Sequence, residues 1–209
     1  MKSINIVGED PVTRAIIKRL LRDYRSEDCT AGAEYPFRGG EIKKQAAIFN
    51  TAAQNGSQSF LLTDLDEINC APQLLNAWLN GTAVADNLLF RVAVEEAETW
   101  LIADIQGFSQ WLGISPELIP APKIMDTRKP QIIEICPPIK PSLFLMMHLA
   151  NASTNEERKA ALMPLRGAKK GPNYNSELLP FIQNEWSPEN ARQNSYSLNK
   201  AIQRLQSQW

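Results

Sequence analysis

Short apolar runs alternate with segments of helical periodicity along residues 1–113, and this alternation constrains the fold more than any other feature. The runs SINIVGED, QSFLLTDLD and NLLFRVAV have the length and composition of buried strands. The other segments place apolar residues at helical spacing: PVTRAIIKRLLRDY, RGGEIKKQAAIFNTAAQ, PQLLNAWL and EEAETWLIADIQGFSQWLG. Strands that alternate with helices form a largely parallel sheet covered on both faces. The sequence therefore predicts an α/β fold with a Rossmann-like sheet flanked by helices.

The pattern changes after residue 113. The segments ISPELIPAPKIMDTRKPQ and CPPIKP are rich in proline and show no periodicity, and helical segments follow at about 141–151, 175–186 and 195–207. We expect residues 1–122 to form the α/β core. We expect residues 123–209 to form a helical C-terminal extension that packs on this core, so that the chain is a single compact unit.

The net charge is only −1, but it is unevenly distributed. Residues 1–122 carry 10 basic and 16 acidic side chains, whereas residues 123–209 carry 12 basic and 7 acidic ones. Such an asymmetry indicates either an acidic site beside an anion-binding surface or solvated faces that differ by chance.

Neither a membrane segment nor a secretory signal is visible in the sequence. No stretch is long and apolar enough to cross a bilayer, and the N-terminal MKSINIVGED lacks the apolar core of a signal peptide. The three cysteines are widely spaced and form neither a metal motif nor a disulfide framework. We therefore expect a cytoplasmic protein without a membrane partner.

Carboxylates follow the predicted strands. Glu9 ends the first, Asp64 and Asp66 end the next, and a third acidic cluster that includes Glu98 follows NLLFRVAV. The carboxyl ends of parallel strands share one edge of a sheet, and residues i and i+2 of a strand face the same side. Two carboxylates about 5 Å apart repel by roughly 3 kcal/mol at an effective dielectric near 20. A bound Mg²⁺ or Mn²⁺ would offset this repulsion; the alternative is that each acid caps the helix that follows it.

Three segments resemble the Toprim fold of topoisomerases, primases and related nucleases. They are INIVGEDPVTRAIIKRLL, FLLTDLDE and AVEEAETWLIAD. The chain is most similar to small bacterial Toprim-like proteins related to the overcoming-lysogenization-defect nucleases. The pattern E-x-W-L-x-x-D of that family is matched by Glu98, Trp100, Leu101 and Asp104, and its C-terminal part resembles GPNYNSELLPFIQNEWSPENA followed by SYSLNKAIQRL. Two positions depart from the family: Gly8 precedes the first acid instead of following it, and Glu95-Glu96 stands where an Arg-Glu pair is usual.

The resemblance implies a magnesium-dependent nuclease that hydrolyses phosphodiesters of DNA or RNA, in a setting of phage defence. Glu9 matches the acid that closes the first Toprim strand, and Asp64 and Asp66 match the later DxD. These three residues would bind the metal, with Glu9 as general base or as a further ligand. Glu98 would hold a second metal.

Cationic residues are expected to bind the substrate phosphate. Arg166, Lys169 and Lys170 lie in the glycine-bounded loop LRGAKKGPNY, and Lys169 is the expected catalytic cation. Arg38 precedes Gly39-Gly40 at the start of a predicted helix and is a second candidate. The alternative for the loop is a solvated basic surface.

Two other functions fit the sequence. The first is a Toprim-like subunit with little activity alone, since a net charge of −1 gives weak attraction to nucleic acid and an ATPase partner would then be required. The second is a phosphatase of the DxD type. In that class the motif lies on the first strand and is followed two positions later by Thr or Val, where this chain has Ile68.

Overall fold

Four parallel strands form the central sheet. The computed structural model describes residues 1–37, 40–65, 68 and 70–208. The strands are β1 (Lys2–Gly8), β2 (Cys29–Pro36), β3 (Ser59–Asp64) and β4 (Leu88–Ala93), in the order β2-β1-β3-β4. The predicted α/β fold with a parallel, Rossmann-like sheet flanked by helices is thus confirmed. The sequence did not predict β2, because most of its residues are exposed and it lacks an apolar run.

The strands alternate their side chains between two covered faces. Val7, Leu61 and Phe90 belong to a buried cluster that α2 (Glu41–Gln54) and α3 (Ala71–Trp78) complete. Phe60 and Leu62 alternate with Leu61 and lie on the other face. Helix α1 (Pro11–Arg25) packs there against β1, β2 and β3. Burial on both faces is the reason that the strands are nearly continuous apolar runs.

The remaining elements follow β4. They are α4 (Glu98–Ile102), α5 (Ile105–Leu112), a 3-10 turn (Pro116–Leu118), a hairpin of β5 (Lys123–Ile124) and β6 (Ile133–Glu134), α6 (Pro141–Phe144) with a π turn (Leu145–Leu149) and a 3-10 turn (Ala150–Ala152), α7 (Glu156–Leu162), α8 (Tyr174–Asn184), α9 (Pro188–Ala191) and α10 (Tyr196–Ser207). The helical segments predicted near 141–151, 175–186 and 195–207 are therefore present. The hairpin and α7 were not predicted.

The single long helix predicted over residues 95–113 is wrong, because Asp104 divides it. Asp104 is fully buried and caps α5, where its carboxylate accepts a hydrogen bond from the Gly107 amide at 3.3 Å. The same carboxylate accepts a hydrogen bond from the Ser187 amide at 2.9 Å. An N-terminal cap starts a new helix, and here it also ties α5 to the residues before α9.

The contacts between residues divide the chain into two compact units. The first comprises residues 1–94 and 200–209, and the second comprises residues 95–199. This division differs from the predicted single unit with a boundary at residue 122. The reason is that α4 and α5 pack with the later helices: the Trp186 indole donates to the Trp100 carbonyl at 3.2 Å, and α4 contacts α9.

Aromatic rings form the core of the second unit. The Trp111 ring stacks on Phe181 with centroids 4.5 Å apart, and Phe108 meets Phe181 edge-on at 5.6 Å. Trp100 is fully buried, and its indole donates to the Ser197 hydroxyl at 2.8 Å. Such rings bury large apolar areas, and buried indoles need a partner for their N–H group.

A buried carboxylate accepts hydrogen bonds from residues at the start of α10, and its protonation predicts how stability depends on pH. Glu134 on β6 is 1% exposed and accepts hydrogen bonds from the Ser195 hydroxyl at 2.7 Å and from the Ser197 amide. Burial raises the pKa of Glu134 above its ordinary value of 4.5, although these hydrogen bonds oppose the shift. The folded state therefore binds this proton more tightly than the unfolded state does.

We expect the stability of the wild type, relative to a Glu134→Gln variant, to fall as pH rises. A raised folded pKa contributes stability that is complete below about pH 4.5 and is lost as pH rises through the folded pKa. Urea unfolding of both proteins between pH 4 and pH 7 measures the difference. Two stability curves that run parallel over this range would show that Glu134 does not titrate differently in the folded state.

No helix in the described part of the chain is both long and apolar enough to span a membrane.

Candidate functional site

The carboxyl edge of the sheet carries two of the predicted acids. β1 and β3 are neighbours, and Val7 pairs with Leu61. Continued by two residues, this register brings Glu9 level with Thr63, the residue before Asp64. Both acids are half-buried. Glu9 follows β1 and Asp64 ends β3, so both acids lie at the carboxyl edge of the sheet, and their shared metal-binding role stays a prediction.

The next acid along the chain has a structural task. Asp10 caps α1: its carboxylate accepts hydrogen bonds from the Thr13 amide at 2.8 Å and from the Thr13 hydroxyl at 2.9 Å. Pro11 follows at the first helical position, where no amide hydrogen is needed. Asp10 thus starts α1 directly after Glu9 and fixes the point at which the chain leaves the sheet.

A cation that the sequence analysis missed also lies at this edge. The Arg14 guanidinium donates to the carbonyl of Gly8 at 3.1 Å, one residue before Glu9, and pairs with Glu34 on β2 at 3.3 Å. Lys18 pairs with the same carboxylate at 2.7 Å, and its hydrogen bond lowers the pKa of Glu34. Arg14 lies one turn into α1. Because α1 starts directly after the acidic end of β1, the sequence could have shown that a cation of the first helical turn lies near this edge.

Two predicted residues, Asp66 and Arg38, lie outside the described residues. Among the residues that the structure does describe, no three His, Cys, Asp or Glu side chains form a group able to hold a metal ion. The metal site therefore stays a prediction whose third acid is Asp66. The buried hydroxyl of Thr63, the residue before Asp64, has no hydrogen-bond partner among the described residues.

Two of the acids that follow β4, Glu96 and Glu98, belong to the second unit and are buried there. Glu98 is 4% exposed and accepts a hydrogen bond from the Tyr174 hydroxyl at 2.8 Å. Glu96 pairs with Lys140 at 2.9 Å and accepts a hydrogen bond from the Ser142 amide at 2.7 Å, at the start of α6. Within the second unit these contacts account for both carboxylates structurally, and the predicted metal-binding role of Glu98 stays a prediction.

The predicted phosphate-binding residues of the C-terminal half lie together. Arg166, Lys169 and Lys170 line one cavity of about 640 Å³ in the second unit. Lys140 lines it as well and was not predicted, since the sequence around it, CPPIKP, gives no signal that it approaches residues 166–170. The cavity thus gathers four cations, and an anion is the ligand that such a lining attracts.

Two glycines shape the loop that carries three of these cations. Gly167 has a φ of 83°, a conformation that favours glycine. A Cβ atom at Gly171 would lie 2.3 Å from the carbonyl oxygen of Leu162, so the chain passes this backbone closely. The Asn173 amide donates to the Ala161 carbonyl at 3.0 Å, which fixes the end of the loop on α7.

A Gly171→Ala substitution is expected to destabilise the protein by about 1–3 kcal/mol, because the new methyl group cannot fit without a backbone shift. Gly40→Ala is the matched control, since a Cβ at Gly40 meets no atom of the described residues within 4 Å apart from its chain neighbours. Thermal unfolding of both variants measures the difference. Equal melting temperatures would mean that the backbone at Gly171 is not tightly packed.

Comparison with known proteins adds no relative. No family model, no curated protein and no solved structure matches this chain. The Toprim resemblance therefore stays a prediction from sequence motifs.

Proposed function

We propose that the protein is a divalent-metal-dependent nuclease whose catalytic acids lie at the carboxyl edge of the parallel sheet. The observation that supports this most is the position of Glu9 and Asp64, which follow or end the neighbouring strands β1 and β3. In open α/β sheets, ligands bind outside the carboxyl ends of the strands. Two of the three segments that resemble Toprim proteins contain these same two strands.

The donor atoms at this edge suit Mg²⁺ or Mn²⁺. Glu9, Asp64 and Asp66 would hold the ion through carboxylate oxygens, the ligands that these hard cations prefer. When bound, the cation would polarise a phosphate oxygen and lower the pKa of a water ligand. Glu98, bonded to Tyr174, is not required for this site.

The side chains of the chain would then divide the remaining work. Glu9 would accept a proton from the attacking water or serve as a further ligand. Arg14, held on the Gly8 carbonyl, would keep positive charge near the phosphate. Lys169 would neutralise charge on the substrate, with Arg166 and Lys170 beside it in the cavity.

We also propose that the chain alone binds nucleic acid weakly, because its net charge is −1 and affinity for nucleic acid rests on many phosphate contacts. An ATPase partner would supply further contacts, as the family resemblance implies. We propose that the protein acts in the cytoplasm, because its cysteines form no disulfide framework, and that it acts in defence against phage, as the resemblance implies.

Metal-dependent stability and cleavage test the proposal together. A cation that binds only the folded state adds about 2.7 kcal/mol at a hundred times its dissociation constant. We expect thermal melts to rise with Mg²⁺ or Mn²⁺, and labelled DNA or RNA to be cleaved with either metal and not with EDTA. Hydrolysis of a small phosphomonoester, with no cleavage of DNA or RNA, would favour the DxD phosphatase instead.

A further inference from the structure

The cavity of the second unit combines two kinds of lining. Lys140, Arg166, Lys169 and Lys170 supply its charge, and none of the described residues that line it is acidic. Leu143, Met146, Met147, Pro164 and Leu165 supply an apolar surface beside them. A ligand that fills this cavity therefore has both an anionic group and an apolar or aromatic part.

The four cations differ in how far the protein already uses them. Lys140 pairs with Glu96 at 2.9 Å, and the Lys170 ammonium lies 4.6 Å from the centre of the Tyr174 ring. Arg166 and Lys169 make no hydrogen bond or ion pair within the described part of the chain. These two side chains keep their full capacity to bind a phosphate oxygen.

Two side chains of the apolar lining are open to solvent. Met147 is 49% exposed and Leu165 is 66% exposed, which is costly for large apolar side chains that lie together. Methionine adapts its shape to flat ligands and makes favourable contacts with aromatic rings. The planar base of a nucleotide would cover this apolar surface and remove the surface from water. The phosphate of the same nucleotide would then contact the cations.

We propose that the cavity receives one unpaired nucleotide of a single-stranded nucleic acid, with the phosphate on Arg166 and Lys169 and the base against Met147 and Leu165. This rests on the proposed nuclease function and specifies its substrate class. In a duplex the base faces are stacked on one another, and only phosphates, sugars and base edges are open to a protein. Single strands offer both the phosphate and the face of the base, and aromatic or apolar surfaces bind that face without regard to sequence.

Binding is measured by fluorescence anisotropy with Ca²⁺ in place of Mg²⁺. The probes are a labelled 12-nucleotide deoxythymidine strand, a labelled DNA hairpin duplex, and unlabelled dTMP as competitor. We expect the single strand to bind more tightly than the duplex, and dTMP to compete only at far higher concentration. Arg166→Ala with Lys169→Ala should weaken binding and reduce the salt slope by roughly 1.4, about 0.7 for each lost phosphate contact on a single strand.

The apolar residues give the sharper test. Met147→Ala with Leu165→Ala should weaken single-strand binding by about fivefold or more, and should leave duplex binding unchanged. The control is Met125→Ala, since Met125 is 47% exposed but does not line the cavity. Lys159→Ala, outside the cavity, is the control for charge.

The outcomes separate this inference from the proposed function. If the duplex binds as tightly as the single strand, or the Met147 and Leu165 variant binds like the wild type, the inference is overturned even where the protein cleaves nucleic acid. If dTMP binds as tightly as the strand, the occupant is a free nucleotide and the single-strand assignment is overturned. If the strand binds as expected but no DNA or RNA is cleaved with Mg²⁺ or Mn²⁺, the inference stands and the nuclease proposal fails.

Discussion

Replacement of Asp64 by Asn is expected to lower metal-dependent cleavage more than about a hundredfold. Loss of a group that only orients a metal ligand already costs roughly 10–100-fold in activity or affinity, and loss of a charged ligand removes more. The amide keeps the size of the side chain, so the fold should persist. Cleavage of a labelled strand with Mn²⁺ measures the effect, with circular dichroism as the check on folding.

Asp28→Asn is the matched control for this change. Asp28 directly precedes β2 at the amino edge of the sheet and pairs with Arg25 at 3.1 Å on the surface. We expect this variant to cleave like the wild type. Equal loss of activity in both variants, or full activity of Asp64→Asn, would show that the catalytic site does not lie at the carboxyl edge of the sheet.

Replacement of Phe181 by Ala is expected to destabilise the protein by about 3–5 kcal/mol. Phe181 is fully buried and contacts the rings of Trp111 and Phe108 at 4.5 and 5.6 Å. The truncation leaves a cavity between rings that rigid neighbours cannot fill. Urea unfolding followed by tryptophan fluorescence measures the change, since Trp111, which stacks on Phe181, is one of the five tryptophans that contribute to the signal.

Two further substitutions serve as controls for this result. Phe181→Leu keeps most of the volume and should cost clearly less than Phe181→Ala. Leu118→Ala, at a side chain that is 46% exposed, should change stability by less than about 0.5 kcal/mol. If Phe181→Ala behaves like Leu118→Ala, the aromatic cluster does not form the core of the second unit.

The α/β fold was predictable because burial on both faces of a parallel sheet leaves a strong apolar signal. The runs around Val7, Leu61 and Phe90 read as strands for this reason, and each lies in the sheet where the pattern placed it. β2 was not predictable by the same argument. It is an edge strand with mostly exposed side chains, so backbone pairing with β1 and not burial defines it.

The break between α4 and α5 shows the limit of periodicity. The apolar stripe from Trp100 to Leu112 continues across Asp104, because both short helices bury the same kind of face. What ends the first helix is a hydrogen bond from Ser187, 83 residues away, to a buried carboxylate. A contact so distant in sequence leaves no local pattern.

The candidate sites were predictable to the extent that their residues are neighbours in sequence. Arg166, Lys169 and Lys170 belong to one loop, and for this reason they line one cavity. Lys140 joins them from the start of α6 and could not be predicted. Glu96 follows a strand, as Glu9 does, but its carboxylate pairs with Lys140. The presence of an acid after a strand does not tell whether that acid binds a metal ion or pairs with a cation of the protein.

Binding of Mn²⁺, followed by electron paramagnetic resonance, tests most directly the claim that Glu9 and Asp64 hold one metal ion. The wild type, Glu9→Gln, Asp64→Asn and the control Asp28→Asn are titrated under the same conditions. We expect one class of bound Mn²⁺ in the wild type and in Asp28→Asn, and much weaker binding in both edge variants. Wild-type affinity in Glu9→Gln and in Asp64→Asn would contradict a metal site at the carboxyl edge of the sheet.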